Sequence, residues 1–239
     1  MNEHLYFRQF LSGTDFAVGD AIALSMRNFT YAIGDRQSGE AVLVDPAYRP
    51  QELLDALGDD GMTLVGVIAT HYHPDHIGGT FIGNQRIAGV AELIELTNVP
   101  VHVQGEEVWW ITEHTDLRPS ALVAHENGDQ VRVGEIDLTL VHTPGHTPGS
   151  QCVLVDGRLL SGDTLFVDGC GRTDFPGGDA DEMYRTLTER LAPIADDTQV
   201  FPGHKYSPEE SLSLGAVRSR NRVFAPATRE QWLTIFGSA

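Results

Sequence analysis

The strongest constraint on this chain is a junction. The run Leu64-Val65-Gly66-Val67-Ile68-Ala69 is almost wholly apolar, as expected of a strand buried on both faces. It opens directly into Thr70-His71-Tyr72-His73-Pro74-Asp75-His76-Ile77-Gly78-Gly79. Three imidazoles and a carboxylate so close together cannot be buried without partners, so they emerge at the strand end, where Gly78 and Gly79 permit a tight turn. Upstream, Pro50 to Leu57 carries apolar residues at 53, 54 and 57 behind a proline, which predicts a one-faced helix stopping at Gly58. Earlier still, Tyr31 to Gly34 and Ala41 to Val44 flank the polar turn Arg36-Gln37-Ser38-Gly39 and predict a hairpin whose second strand ends at Asp45. Strand, helix and strand then deliver His71 to a sheet edge, and the class is α/β.

The second half of the chain repeats the device. Val131 and Val133, then Ile136, Leu138 and Leu140, alternate with polar residues across Gly134-Glu135, predicting a hairpin that runs into His142-Thr143-Pro144-Gly145-His146. Cys152 to Val155 and Arg158 to Leu160 flank the turn Asp156-Gly157, and the second of these strands runs out at Ser161-Gly162-Asp163. Asp179 and Glu182 have capping-box spacing before a helix reaching about Leu191. Gln199-Val200-Phe201 then leads to Pro202-Gly203-His204. In a sandwich of two mixed sheets with helices outside, such strand ends meet at one edge. That edge gathers His71, His73, Asp75, His76, His146, Asp163 and His204. Seven such donors suit two divalent ions, since neutral imidazole favours zinc, iron or manganese and a carboxylate can bridge. His4, His102, His114 and His125 read as ordinary surface or core histidines, and His142 as a structural group of its Pro-Gly turn.

With 239 residues, 41% of them hydrophobic, the chain can fill a single domain spanning 1–239. Its 16 basic against 34 acidic residues leave a net charge of −18, which repels phosphate backbones and anionic membrane surfaces and argues against nucleic acid and membrane as partners. No long apolar span occurs, and the opening MNEHLYFRQF lacks the pattern of a secretion signal, so a cytoplasmic location is expected. Cys152 and Cys170 form no CxxC pattern and read as reduced thiols.

HYHPDH, the HTPGHTPGS segment, the aspartate of SGDTLF and the histidine of FPGHKYS together resemble the ligand set of the metallo-β-lactamase superfamily. Within it, GCGRTDFPGGD, from Gly169 to Asp179, resembles the glyoxalase II and persulfide dioxygenase branch, and the similarity runs from about Val42 to His204. The resemblance implies an αββα sandwich of two mixed β-sheets flanked by helices. It implies that His71, His73 and His146 hold one ion, that Asp75, His76 and His204 hold a second, that Asp163 bridges, and that Asp45 orients this clamp without binding metal. Zinc is the first expectation, with iron or manganese as alternatives. A water bound between two such ions ionises near neutral pH, and Asp75 is placed to orient the hydroxide and shuttle its proton. The glyoxalase II side implies hydrolysis of an S-acyl thiol such as S-lactoylglutathione, which is the leading expectation. The persulfide dioxygenase side implies a single iron on His71, His146 and Asp163, with positions open for O₂ and substrate. A β-lactamase is disfavoured because Asp163, not cysteine, stands at the bridging position. A non-enzymatic module stapled by metal is disfavoured because structural zinc sites are usually closed and cysteine-rich.

A small thiol-derived substrate of the glutathione kind carries carboxylates, so a chain this acidic needs local cations at its pocket. Arg172 is the first candidate, followed by Lys205 and Tyr206 directly after His204; Arg218, Arg220 and Arg222 form a basic patch or a solvated helix face. The C-terminal extension 205–239 is too short for the separate helical substrate domain of long glyoxalase II proteins. The stretch around 80–128, with Trp109-Trp110, is longer than short members need and reads as an insertion serving as a lid or as the surface of a homodimer.

Overall fold

The computed structural model describes residues 2–237. A first sheet has the order β1 (Leu5–Leu11), β2 (Phe29–Asp35), β3 (Glu40–Val44), β4 (Thr63–Ile68), β7 (Val101–Gln104) and β8 (Leu122–His125). Between β4 and β7 the chain makes a small ribbon of β5 (Gly79–Thr80) and β6 (Arg86–Ile87). The second sheet has the order β14 (Leu212–Ser213), β13 (Gln199–Pro202), β12 (Arg158–Gly162), β11 (Gln151–Val155), β10 (Ile136–His142) and β9 (Gln130–Val133). Both sheets are mixed: β3, β4, β7 and β8 run parallel in the first, as do β12 and β13 in the second, and the other neighbours are antiparallel.

Three apolar layers hold the sheets and helices together. Phe29, Ile33, Val42 and Ile68 from the first sheet meet Val133, Leu138, Val153 and Leu160 from the second. Outside the first sheet lie α2 (Pro50–Asp59), α4 (Val90–Thr97) and α5 (Val108–His114), anchored by Leu53, Leu57, Leu93 and Ile111. Outside the second lie α6 (Ala180–Arg185), α7 (Leu214–Arg220) and α8 (Arg229–Phe236), anchored by Met183, Leu214, Val217 and Trp232. This is the αββα sandwich expected from the sequence. Two short helices, α1 (Ala21–Met26) and α3 (Pro74–Ile77), sit at the edge where the strand ends collect. No helix among the described residues is long and apolar enough to cross a membrane.

The expected hairpins form, with Tyr31 opposite Val44 and Val153 opposite Leu160. Asp156 and Gly157 both have positive φ, as a two-residue turn between twisted strands requires. Two local expectations need correction. Helix α2 passes Gly58, because the left-handed residue that lets the chain leave is Gly61 (φ 72°), whose N–H closes on the Gly58 carbonyl. The capping box at Asp179 is half formed. Its carboxylate accepts from the Asp181 and Glu182 N–H groups, but its own N–H donates to the Gly145 carbonyl at 2.8 Å while Glu182 pairs with Arg185 and Arg190. Helix α6 is thereby tied to the loop that carries His146. The 80–128 stretch supplies β7 and β8, which extend the first sheet in parallel, and α4 and α5, which cover it. Strand β4 is fully buried only over Gly66, Val67 and Ile68, the half nearest the histidines.

Candidate metal centre

All seven predicted donors meet at one edge of the sandwich, carried by the loops after β4, β10, β12 and β13. The HTPGH loop can turn back on helix α6 only because residue 145 is glycine: φ is 138°, and a Cβ there would lie 2.5 Å from the Met183 Cα.

The donors fall into two sets. In the first, His71 Nε2 and His146 Nε2 lie 3.1 and 2.9 Å from His73 Nδ1. The remaining nitrogens of His71 and His146 are engaged. The Thr70 hydroxyl gives its single proton to Asp45 Oδ2 at 2.6 Å, so His71 Nδ1–H donates to Thr70 Oγ1 at 2.9 Å and leaves Nε2 bare. His146 Nδ1–H donates to the Arg172 carbonyl at 2.6 Å. Burial, reinforced by the neighbouring imidazoles, pushes His71 well below the usual imidazole range and His73 down to about 3; burial also lowers His146. These rings are held neutral.

In the second set, His76 Nε2 and His204 Nε2 stand 3.5 and 3.4 Å from Asp75 Oδ2 and 3.2 Å from each other. His76 Nδ1–H is taken by Asp45 Oδ2 at 2.9 Å, and His204 Nδ1–H by the Met26 carbonyl at 2.8 Å. Against the cost of burial, Asp163 and Asp75 raise both rings, His76 to about 10 with further help from Asp45. Asp45 itself is held at φ 53°, a left-handed conformation few non-glycine residues adopt, with Oδ1 accepting the Thr70 N–H at 2.7 Å. It touches one ring of each set, directly or through Thr70.

Asp163 stands between the sets. Oδ2 lies 3.4 Å from His204 Nε2 and 3.6 Å from His146 Nε2, and Oδ1 lies 3.4 Å from His76 Nε2. Oδ1 is buried without a hydrogen-bond partner. An orphaned carboxylate oxygen and three bare ring nitrogens facing one another are unfavourable unless a cation lies among them. The donor separations are close to the ligand–ligand spacing of about 3.3 Å around a tetrahedral ion with bonds of about 2.0–2.1 Å. His71, His73 and His146 form one group fitted to a divalent ion, and Asp75, His76 and His204 form another.

A cavity of about 910 Å³ opens over both groups. Tyr72, Phe166, Phe175 and Tyr206 supply aromatic surface, and Arg172 and Arg222 supply charge. The candidate substrate contacts take different places. Arg172 lines the cavity, but it is mostly exposed, paired with Asp174 and laid over the Phe175 ring. Tyr206 lines it and stacks on the His204 ring at 4.6 Å. Lys205 does not line it: its ammonium pairs with Glu210. Arg222, from the basic patch, lines the cavity with no carboxylate partner among the described residues, whereas Arg218 and Arg220 pair with Asp196 and Glu209. His142 bonds the Pro148 carbonyl, and His102 and His125 bond each other, all away from the donors. His114 lines the cavity wall, stacked on Trp110.

Sequence reasoning passed over Asn28 and Tyr48. Asn28 Nδ2 donates to Asp75 Oδ2 at 3.0 Å, and the Tyr48 hydroxyl donates to Asn28 Oδ1 at 2.6 Å, a buried chain that fixes the Asp75 carboxylate. Neither residue is a ligand type in a recognisable pattern, so nothing in the text of the sequence marks them.

Comparison with known proteins agrees with this geometry. The family model described as metallo-beta-lactamase superfamily matches residues 27–204. The mitochondrial persulfide dioxygenase ETHE1 of Homo sapiens is 33% identical over 184 residues, covering 74% of this chain and 64% of that protein. The cytoplasmic hydroxyacylglutathione hydrolase of Arabidopsis thaliana is 33% identical over 187 residues, covering 75% of this chain and 64% of that one. This chain thus spans less than two thirds of either relative. The crystal structure of ETHE1 from Myxococcus xanthus superposes with a TM-score of 0.79 at 31% identity, over 98% of this chain and 90% of that one.

Proposed function

The chain belongs to the metallo-beta-lactamase superfamily, and from that premise we propose that it is a metal-dependent hydrolase cleaving a thioester of the S-acyl-glutathione type. The observation that carries this reading is the second donor group. The persulfide dioxygenases keep residues matching this group, so what supports a second ion is that Asp75, His76 and His204 are brought together with their own supports in Asn28, Asp45 and the Met26 carbonyl.

Two divalent ions, zinc first among them, would be held by the two groups with Asp163 shared. When bound, such ions supply a water acidified to near neutrality and polarisation of an acyl oxygen. The chain's own residues do the rest. Asp75, fixed by Asn28, orients the attacking water and accepts its proton. Tyr72, Phe166 and Phe175 line the cavity with apolar surface that excludes bulk water around the acyl–sulfur bond. Arg222 faces the cavity without a carboxylate of its own and meets a substrate anion; Arg172 is a weaker contact because Asp174 already neutralises it. Arg222→Ala should therefore raise the KM for an anionic thioester by about tenfold or more with kcat nearly kept, as for a lost charged hydrogen bond of about 1.5–3 kcal/mol, and Arg172→Ala should do less. Initial rates across substrate concentration decide the order.

A second reading, a persulfide dioxygenase with one iron, is favoured by the 98% coverage in the likeness to the Myxococcus xanthus structure. Metal content, S-acyl-thiol hydrolysis and O₂ uptake with a persulfide, measured on one preparation, separate the two. Two ions and thioester turnover are expected. One iron with O₂ consumption and no thioester hydrolysis would hand the function to the dioxygenase.

A further inference from the structure

Glu107 is completely buried and takes no part in the chemistry above. It stands just after β7 at the head of α5, and its carboxylate bonds extend to two loops from opposite halves of the chain. Oε1 accepts the N–H of Tyr72, the residue between His71 and His73, at 2.7 Å. Oε2 accepts the N–H of Gly149 at 2.7 Å, and the hydroxyl of Thr147, next to His146, lies 2.9 and 3.0 Å from the two oxygens. No cationic side chain pairs with Glu107 among the described residues.

Burying a carboxylate without a cation is costly, so its gain must be specific. It offers acceptors on both oxygens to donors arriving from two directions. The second loop is shaped to this contact, since a Cβ on Gly149 would come 2.4 Å from the Glu107 nitrogen and 2.7 Å from Oε2. The bare nitrogens of His71, His73 and His146 repel one another, and something must hold their loops together before an ion does. We infer that Glu107 is a positioning residue of the metal centre, clamping the HYHPDH and HTPGH loops so that His71, His73 and His146 converge on one ion. The inference rests on reading these three as a ligand set, but not on the substrate.

Glutamine keeps the shape and replaces one acceptor by an NH₂, which would face the N–H of Tyr72 or Gly149 as donor against donor and release one loop. The test titrates metal-free wild type, Glu107→Gln and Glu106→Gln with Co²⁺ against a competing chelator, and follows hydrogen exchange at the Tyr72 and Gly149 amides. Glu107→Gln should weaken one of two cobalt sites by about 10–100-fold, the range for losing a group that supports a ligand. It should also speed exchange at one of the two amides, the one left facing the new NH₂, while the exposed Glu106→Gln leaves wild-type behaviour. In a His146→Ala background, Glu107→Gln should add no further loss. Should Glu107→Gln fail to fold, Thr147→Val removes one donor and should give a smaller loss at the same site. Wild-type isotherms in Glu107→Gln, or in Thr147→Val where that variant stands in for it, overturn the clamp, as does a wild type that takes up no cobalt. A wild type that binds two cobalt ions without hydrolysing thioesters ends the hydrolase reading alone and leaves the clamp standing on its own isotherms.

Discussion

In the first donor group the far nitrogen of His71 rests on the Thr70 hydroxyl and that of His146 on a carbonyl, both neutral. In the second, His76 meets Asp45 through one nitrogen and faces Asp75 and Asp163 through the other. The same side chain is therefore held neutral on one side of Asp163 and favours a proton on the other, because neighbours rather than residue type set imidazole basicity. The first group is ready for an ion as it stands. The second would have to exchange protons for one.

The contrast can be broken most severely at His146. His146→Ala should empty the all-imidazole group and abolish activity; metal analysis and rate assays on one preparation check this, and normal turnover would remove His146 from the ligand set. Asp75→Ala acts on the other side. It should lower thioester hydrolysis by at least about 10²-fold, as for loss of a positioned acid or base, and reduce bound metal towards one ion per chain. Retention of two ions would mean that Asp75 is no ligand. Asp45→Asn leaves every donor in place but weakens the acceptor behind His76, so the carboxylate-bearing group should lose about 10–100-fold in metal affinity, and competition against a chelator measures it. The mildest effect is on pH. His76, raised to about 10, carries a proton in the metal-free protein near neutrality and His204 is shifted in the same direction, so affinity at their group should rise by about tenfold per pH unit for each proton displaced. His71, His73 and His146 are lowered and have no proton to give up, so affinity at their group should stay nearly flat over the same range. Proton release into weak buffer as the two ions are added reads the difference, and equal release for both would erase it.

The sequence shows the donors more clearly than their supports. Strand ends that run into His71, His146, Asp163 and His204 are visible because period-two patterning stops where polar ligand types begin. Asn28, Tyr48, Thr70 and Glu107 are invisible by the same logic. Each acts through one hydrogen bond or a few to a neighbour distant in sequence, such as the 47 positions from Asn28 to Asp75, and no local pattern encodes such a pairing. Two strands within the 80–128 stretch are hard to see for a related reason. Strands β7 and β8 have four residues each, too few to show alternation, so a sheet edge looks like an excursion. The sequence puts Arg172 ahead of Arg222, but such a rank depends on whether a carboxylate already occupies the guanidinium, as Asp174 does for Arg172.

The rings that meet across the centre lie far apart along the chain: His146 reaches His73 over 73 positions, and His204 reaches His76 over 128. Contacts of such separation form late in folding, after the loops between them have closed. Although HYHPDH sets four donors within six residues, each group takes its third donor from a distant loop, so an ion cannot complete either set before those loops have met. It arrives at a cup whose walls already exist, and loading becomes a step separate from folding, governed by the supply of metal rather than by the speed of collapse.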